Sequence, residues 1–290
     1  MKLTIAITLA AIIVLLALIY VLNRPQLNTI VATIPQNFPT DGFSHTVLEN
    51  LLKTFVDDTG HVDYDLWHRS DDSIIMLNSY LAAVARYSPE NSPDRFKSQQ
   101  DSLAYWLYAY NATVIKSILD RWPLESVTDV KAPIELIKGF GFFYRQRFIF
   151  GGKVYSLYAI ENYKIRDTYR DARIHFVLNC GSESCPVLRP ELPSGNSLEP
   201  FLQQAATDFV SEDRNVHIDH ENRQIVLSNI FKWFKKDFIN DLRHRGAPSE
   251  RGLIDYISNI AADPLRTEID RTANYEIVFR EYDWSINQSE

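Results

Sequence analysis

The feature that most constrains this chain is its beginning. From Leu3 to Leu22 the sequence reads LTIAITLAAIIVLLALIYVL, without a single charge. As a helix, roughly 20 residues rising about 1.5 Å each reach about 30 Å, the thickness of a bilayer's hydrocarbon core. A helix buried in a water-soluble core is rarely apolar on every face. A secretory signal core runs to about 7–15 residues and precedes a small-residue cleavage site, and no such site follows here. The run therefore predicts an uncleaved signal-anchor within residues 1–24, with the membrane as its partner. Lys2 and Arg24 flank it and give only a weak positive-inside bias. The bulk of the chain is expected on the extracytoplasmic, periplasmic side, where disulfides persist.

Behind the anchor, residues 25–43 are rich in Pro, Asn and Thr and predict a tether, and residues 44–290 predict one domain. With 46% hydrophobic residues and 23% charged, a packed core is within reach. The formal charge of −7 carries no basic block, which excludes nucleic acid held by phosphate contacts. A glycine-rich phosphate loop, a serine elbow and a dinucleotide fingerprint are all lacking, so no cofactor is expected.

Periodicity places the elements. Val47, Leu48, Leu51, Leu52 and Phe55 mark a first helix, and Ile74, Leu77, Leu81 and Val84 a second, capped within Asp71–Ser73. Leu103, Leu107, Tyr110, Val114 and Ile118 mark the strongest, from about Gln99 to Arg121. Asn111 falls at the edge of its buried stripe, where an amide must find partners. Phe140–Leu157 reads as a hairpin about Gly151-Gly152, and Val216–Leu227 as another about His220–Asn222. Helices follow at Ser156–Tyr169, after Ser197, after Ser228 and over Gly252–Ala262, before a last strand through Tyr275, Ile277 and Phe279. Helices first, then hairpins among helices, predict an α+β fold about one mixed or antiparallel sheet.

The chemistry gathers in Arg173–Arg189, RIHFVLNCGSESCPVLR, which holds both cysteines. Read as a strand, Ile174–Asn179 sends His175 and Cys180 to opposite faces, ~16 Å apart. Gly181 then lets the chain turn so that Cys185 returns towards His175, with Cys185 capping a short helix begun by Pro186. A thiol at a helix N-terminus has its thiolate favoured. Three readings follow. In the first, Cys185 is the nucleophile of a thiol hydrolase or acyl transferase, with a peptide or acyl substrate. His175 is then its base, Asn111 or Glu161 orients the imidazole, and Arg189 or Arg166 binds a substrate carboxylate. In the second, Cys180 and Cys185 form a structural disulfide in a non-catalytic envelope module. In the third, His175, Cys180 and Cys185 hold zinc, at a spacing unusual for that metal. Asp63 and Asp65 read as solvated carboxylates, His217 and His220 as exposed turn residues, and Tyr282-Asp283-Trp284 as a packing element.

Five segments carry a family resemblance: GHVDY (60–64), YWLYAYNATVI (105–115), RIHFVLNCGSESCPVLR (173–189), LSNIFKWFKKDF (227–238) and YDWSIN (282–287). In this order they resemble the domain-of-unknown-function family numbered 547, whose members are often exported bacterial proteins. The resemblance implies a domain spanning nearly all of the chain beyond the anchor. It also implies a remote likeness to papain-like or transglutaminase-like thiol enzymes.

Overall fold

The helix Gln99–Leu119 is buried on nearly every side, from Leu103 through Ile115 and again at Ser117–Leu119, so the rest of the domain is built around it. Three tyrosines on its wall end in hydroxyls that need partners. Tyr105 donates to the Val84 carbonyl (2.9 Å), Tyr108 to the Pro193 carbonyl (2.6 Å) and Tyr110, at a long 3.4 Å, to Glu161. Ser98 caps the helix by accepting the Asp101 N–H.

The computed structural model describes residues 2–135 and 137–289, without the side chains of Lys2, Leu3 and Ala6. The outer limits of the expected anchor and domain, Met1 and Glu290, thus lie outside the described residues. In order, the elements are α1 (Lys2–Leu22), β1 (Gln26–Leu27), α2 (Thr46–Phe55), α3 (Tyr64–Arg69), α4 (Asp71–Arg86) and the central α5 (Gln99–Leu119). There follow β2 (Gln146–Phe150), β3 (Lys153–Tyr155), α6 (Leu157–Ala159), α7 (Asp167–Tyr169), α8 (Leu198–Ser211), β4 (Val216–Asp219) and β5 (Gln224–Leu227). Last come α9 (Asn229–Trp233), α10 (Lys235–His244), α11 (Leu253–Ile260), α12 (Leu265–Asp270) and β6 (Glu276–Phe279).

The fold is a single α+β unit, with two small sheets in place of the one expected. In the first, β2 pairs antiparallel with β3 and parallel with β1; in the second, β5 pairs antiparallel with β4 and parallel with β6. The first hairpin is also shorter than expected. The aromatic run 140–150 extends only from Gln146, because Phe140–Arg145 coils as a π-helix behind Gly139, at φ 76°. The hairpin turns at Gly151 and Gly152, both at positive φ, and its two N–H groups dock on the Val84 and Ala85 carbonyls at the end of α4. A π-helix (Ile160–Arg166) joins α6 to α7.

The expected tether is fastened down. Asn23 exchanges two hydrogen bonds with the Ile134 backbone, β1 pairs with β2, and Arg95 holds the Pro39 and Gly42 carbonyls. Before it, α1 exposes its described apolar side chains, Leu16 and Tyr20 among them. Among the described residues no helix is long and apolar enough to cross a membrane; in α1 the described side chains run unbroken only over 7–22.

Candidate active site: two thiols in an aromatic cleft

The stretch around His175 is not a strand. Asp171 accepts the Arg173 N–H (3.0 Å), and the Val177 and Leu178 N–H groups both return to the Ile174 carbonyl, so Ala172–Phe176 closes as a 3₁₀ turn. The buried Arg173 guanidinium locks that turn between Asp171 (2.6 Å) and Glu199 (2.7 Å). The opposite-face argument that set Cys180 apart from His175 therefore lapses. Both thiols and the imidazole line one cleft of about 270 Å³.

Three elements shape the loop that follows. From α5, Asn111 donates to the Val177 carbonyl (3.0 Å) and accepts the Asn179 N–H (3.0 Å). Asn179 in turn accepts the Gly181 N–H (2.8 Å) and donates to the Pro186 carbonyl (2.8 Å), closing the turn on itself. Gly181 sits at φ 82°, and a Cβ there would meet Ile118 Cδ1 at 2.4 Å. On the far side the C-terminal segment runs antiparallel to the loop: the Glu183 N–H bonds the Ser285 carbonyl and the Asn287 N–H the Gly181 carbonyl. No helix begins at Pro186, so the expected dipole effect on Cys185 is absent.

Both cysteines are free thiols, Cys185 buried and Cys180 half-buried. The Cys180 N–H donates to Cys185 Sγ (3.0 Å). The Tyr282 hydroxyl lies 3.3 Å from one sulfur and 3.2 Å from the other. The Cys185 thiol, ahead of Ser182 and Tyr282, lowers the Cys180 pKa to about 7 against the cost of burial. Burial, then the hydrogen bond with Cys180 and its charge, push Cys185 well up.

His175 stacks on Phe234 (centroids 3.8 Å apart), and its Nε2 pairs with Asp237 Oδ2 at 2.9 Å. Burial lowers the imidazole pKa and Asp237 opposes it, so the ring is neutral at pH 7. Burial would raise Asp237, but hydrogen bonds from His175 and Arg166 outweigh it and hold the carboxyl at about 2. With Nε2 engaged, Nδ1 is the nitrogen left to take a proton. Among the described residues no hydrogen bond joins His175 directly to a sulfur. Burial raises the Glu161 pKa, opposed by Arg166 and Tyr110.

Of the residues singled out in the sequence, the cleft gathers Cys180, Cys185, His175, Glu161 and Arg166. It does not gather Asn111 or Arg189. The Asn111 amide bonds the loop backbone, and among the described residues no hydrogen bond joins it to His175. Arg189 is paired outwards with Asp208 on α8 at 2.7 Å. Nor do His175, Cys180 and Cys185 form a metal cage: among the described residues no group of three such side chains stands close enough to hold an ion. Two partners went unseen in the sequence. Asp237 lies in the run FKWFKKDF, where a lone acid among aromatics is the only trace. Tyr282 packs at a tilt against Trp233 and Trp284, in keeping with its reading as a packing element, but its hydroxyl faces both thiols.

Residues 93–210 match the family described as "Protein of unknown function, DUF547". Over this stretch the match bears out the resemblance to the family numbered 547. The matched stretch holds both thiols, His175, Glu161 and Arg166, while Asp237 and Tyr282 lie beyond it. No curated protein and no solved structure matches the chain.

Proposed function

We propose that this DUF547 cleft is the active site of a thiol-dependent hydrolase or acyl transferase, with Cys180 as nucleophile. The observation that carries the reading is the convergence of two free thiols and the His175–Asp237 pair on one cleft. Cys180 takes the role first given to Cys185, because it is the less buried sulfur and the one whose charge its neighbours stabilise. As Cys180 adds to a carbonyl carbon, its thiol proton passes to Nδ1 of the neutral His175, and the leaving group departs with that proton. His175 then removes a proton from water or an acceptor amine or hydroxyl, which releases the acyl group. Asp237 holds the imidazole in the Nε2–H form and stabilises its charge while it carries that proton. The apo separation of base and thiol is compatible with this role, since such contacts often tighten on substrate binding.

The same reading sets the domain at a membrane surface, anchored by α1 with its uncharged run Leu3–Leu22. Removal of residues 1–24 should release the protein from membranes into the soluble fraction; retention would overturn the anchor.

The test of the chemistry is acylation by p-nitrophenyl acetate. Mass spectrometry should find an acetyl thioester on Cys180 in the folded protein, discharged more slowly in His175→Asn. Acetylation at the rate of the denatured chain would overturn the proposal.

A further inference from the structure

We propose that Cys180 and Cys185 also perform thiol–disulfide exchange, Cys180 as the attacking thiol and Cys185 as the resolving one. This rests on Cys180 being the reactive thiol of the proposed function, but not on acyl chemistry. A lone nucleophile needs no second thiol beside it. Here the second is built in. The turn that returns Cys185 is fixed by its own N–H on the Ser182 carbonyl (2.9 Å), and its sulfur receives the Cys180 N–H (3.0 Å). The two sulfurs share a single hydroxyl, that of Tyr282, on the cleft side of the loop.

The difference in burial orders the two roles. The half-buried Cys180 meets a partner entering the cleft, and Cys185, 4% exposed, is kept from competing with it. The partner is a disulfide, RS–SR. The Cys180 thiolate attacks one of its sulfurs; the Cys180–SR bond forms, the S–S bond breaks and the first RS⁻ leaves. Cys185 then gives up its proton and attacks Cys180 Sγ, forming the Cys180–Cys185 bond and expelling the second RS⁻. The protein dithiol is oxidised by two electrons and the partner is reduced to two thiols, which carry off the two protons. Cys185 is poised to act only after the first step. Beyond burial, the hydrogen bond with Cys180 and then its charge hold the proton on, and the mixed disulfide abolishes that charge.

Oxidised glutathione is the probe. Reduced full-length protein should lose both free thiols, release two equivalents of glutathione and end at the unmodified mass less two hydrogens. Cys185→Ser should instead accumulate a stable glutathione adduct on Cys180, and Cys180→Ser should remain unmodified. A persistent glutathione adduct on the wild-type protein would overturn the proposal without needing any variant. If Cys180 neither acetylates nor captures glutathione, the thiol-enzyme reading falls; if it acetylates but its adduct is never resolved, only the exchange reaction falls.

Discussion

Two histidines are buried in aromatic surroundings here, and their neighbourhoods differ in what the aromatics are joined by. His45 packs edge-on to Tyr108 and beside Phe43, and its Nδ1 shares a 2.9 Å hydrogen bond with the Tyr80 hydroxyl. Burial alone drives its pKa to about 3, so it is a neutral core residue. His175 is as deeply placed, against Phe234 and Phe238, but a carboxylate grips its Nε2 and one edge of its surroundings opens on the thiol cleft. Burial makes both rings neutral. The carboxylate is what lets one of them take up a proton and hand it on, because an imidazolium beside Asp237 is paired and one beside Tyr80 is not.

The largest effect expected in breaking this contrast is at the thiol the His175 region serves: Cys180→Ser should abolish acyl-enzyme formation, read by mass spectrometry. Next come the members of the pair. His175→Asn should slow deacylation about 10²–10⁴-fold, the usual range for a lost general base, and Asp237→Asn should reproduce much of that loss. His45→Gln should leave the rate unchanged; a comparable loss there would erase the distinction.

A smaller effect sharpens the comparison through pH. Iodoacetamide labelling of Cys180 should rise through about pH 7, because thiolate accumulates as pH passes the lowered pKa. Tyr282→Phe removes one donor to that thiolate, so its profile should shift to higher pH. An unshifted profile would remove Tyr282 from the site.

His45 makes the opposite kind of pH prediction. Its folded pKa, about 3, lies below the unfolded value, so the folded state resists protonation. The stability it permits is full above about pH 6.5 and is lost as pH falls towards 3. Acid titration of unfolding should be shallower over that window in His45→Gln. Asn111→Ala is expected to cost about 1–3 kcal/mol in denaturant unfolding, for the backbone groups it would leave unpaired near Cys180.

Much of the fold was legible. The apolar spacing of α2, α4, α5 and α8 and both hairpins follow from patterns within a few residues, as does the serine cap of α9, whereas α4 is capped by Ser70 and not within Asp71–Ser73. The site was legible only in part. A histidine and two cysteines within one short run announced the cleft, but the run was read as a strand, since hydrophobic alternation does not reveal that Asp171 and Arg173 would close a turn. Asn111 is legible as a buried amide needing partners, and its partners are the backbone groups of Val177 and Asn179. Arg189 drew attention by proximity in sequence, which its ion pair with Asp208 turns outward.

The sequence by itself determined the family resemblance, the α+β character, the helical core and the segment in which the thiols lie. Each is written in local composition or in repeats of two to four residues, which hydrophobic burial enforces directly. Tertiary structure alone decided that His175 is paired with Asp237, that Tyr282 touches both sulfurs, and which thiol is less buried. Those contacts join residues far apart along the chain through single hydrogen bonds. Such bonds have no period and impose no pattern on the residues between.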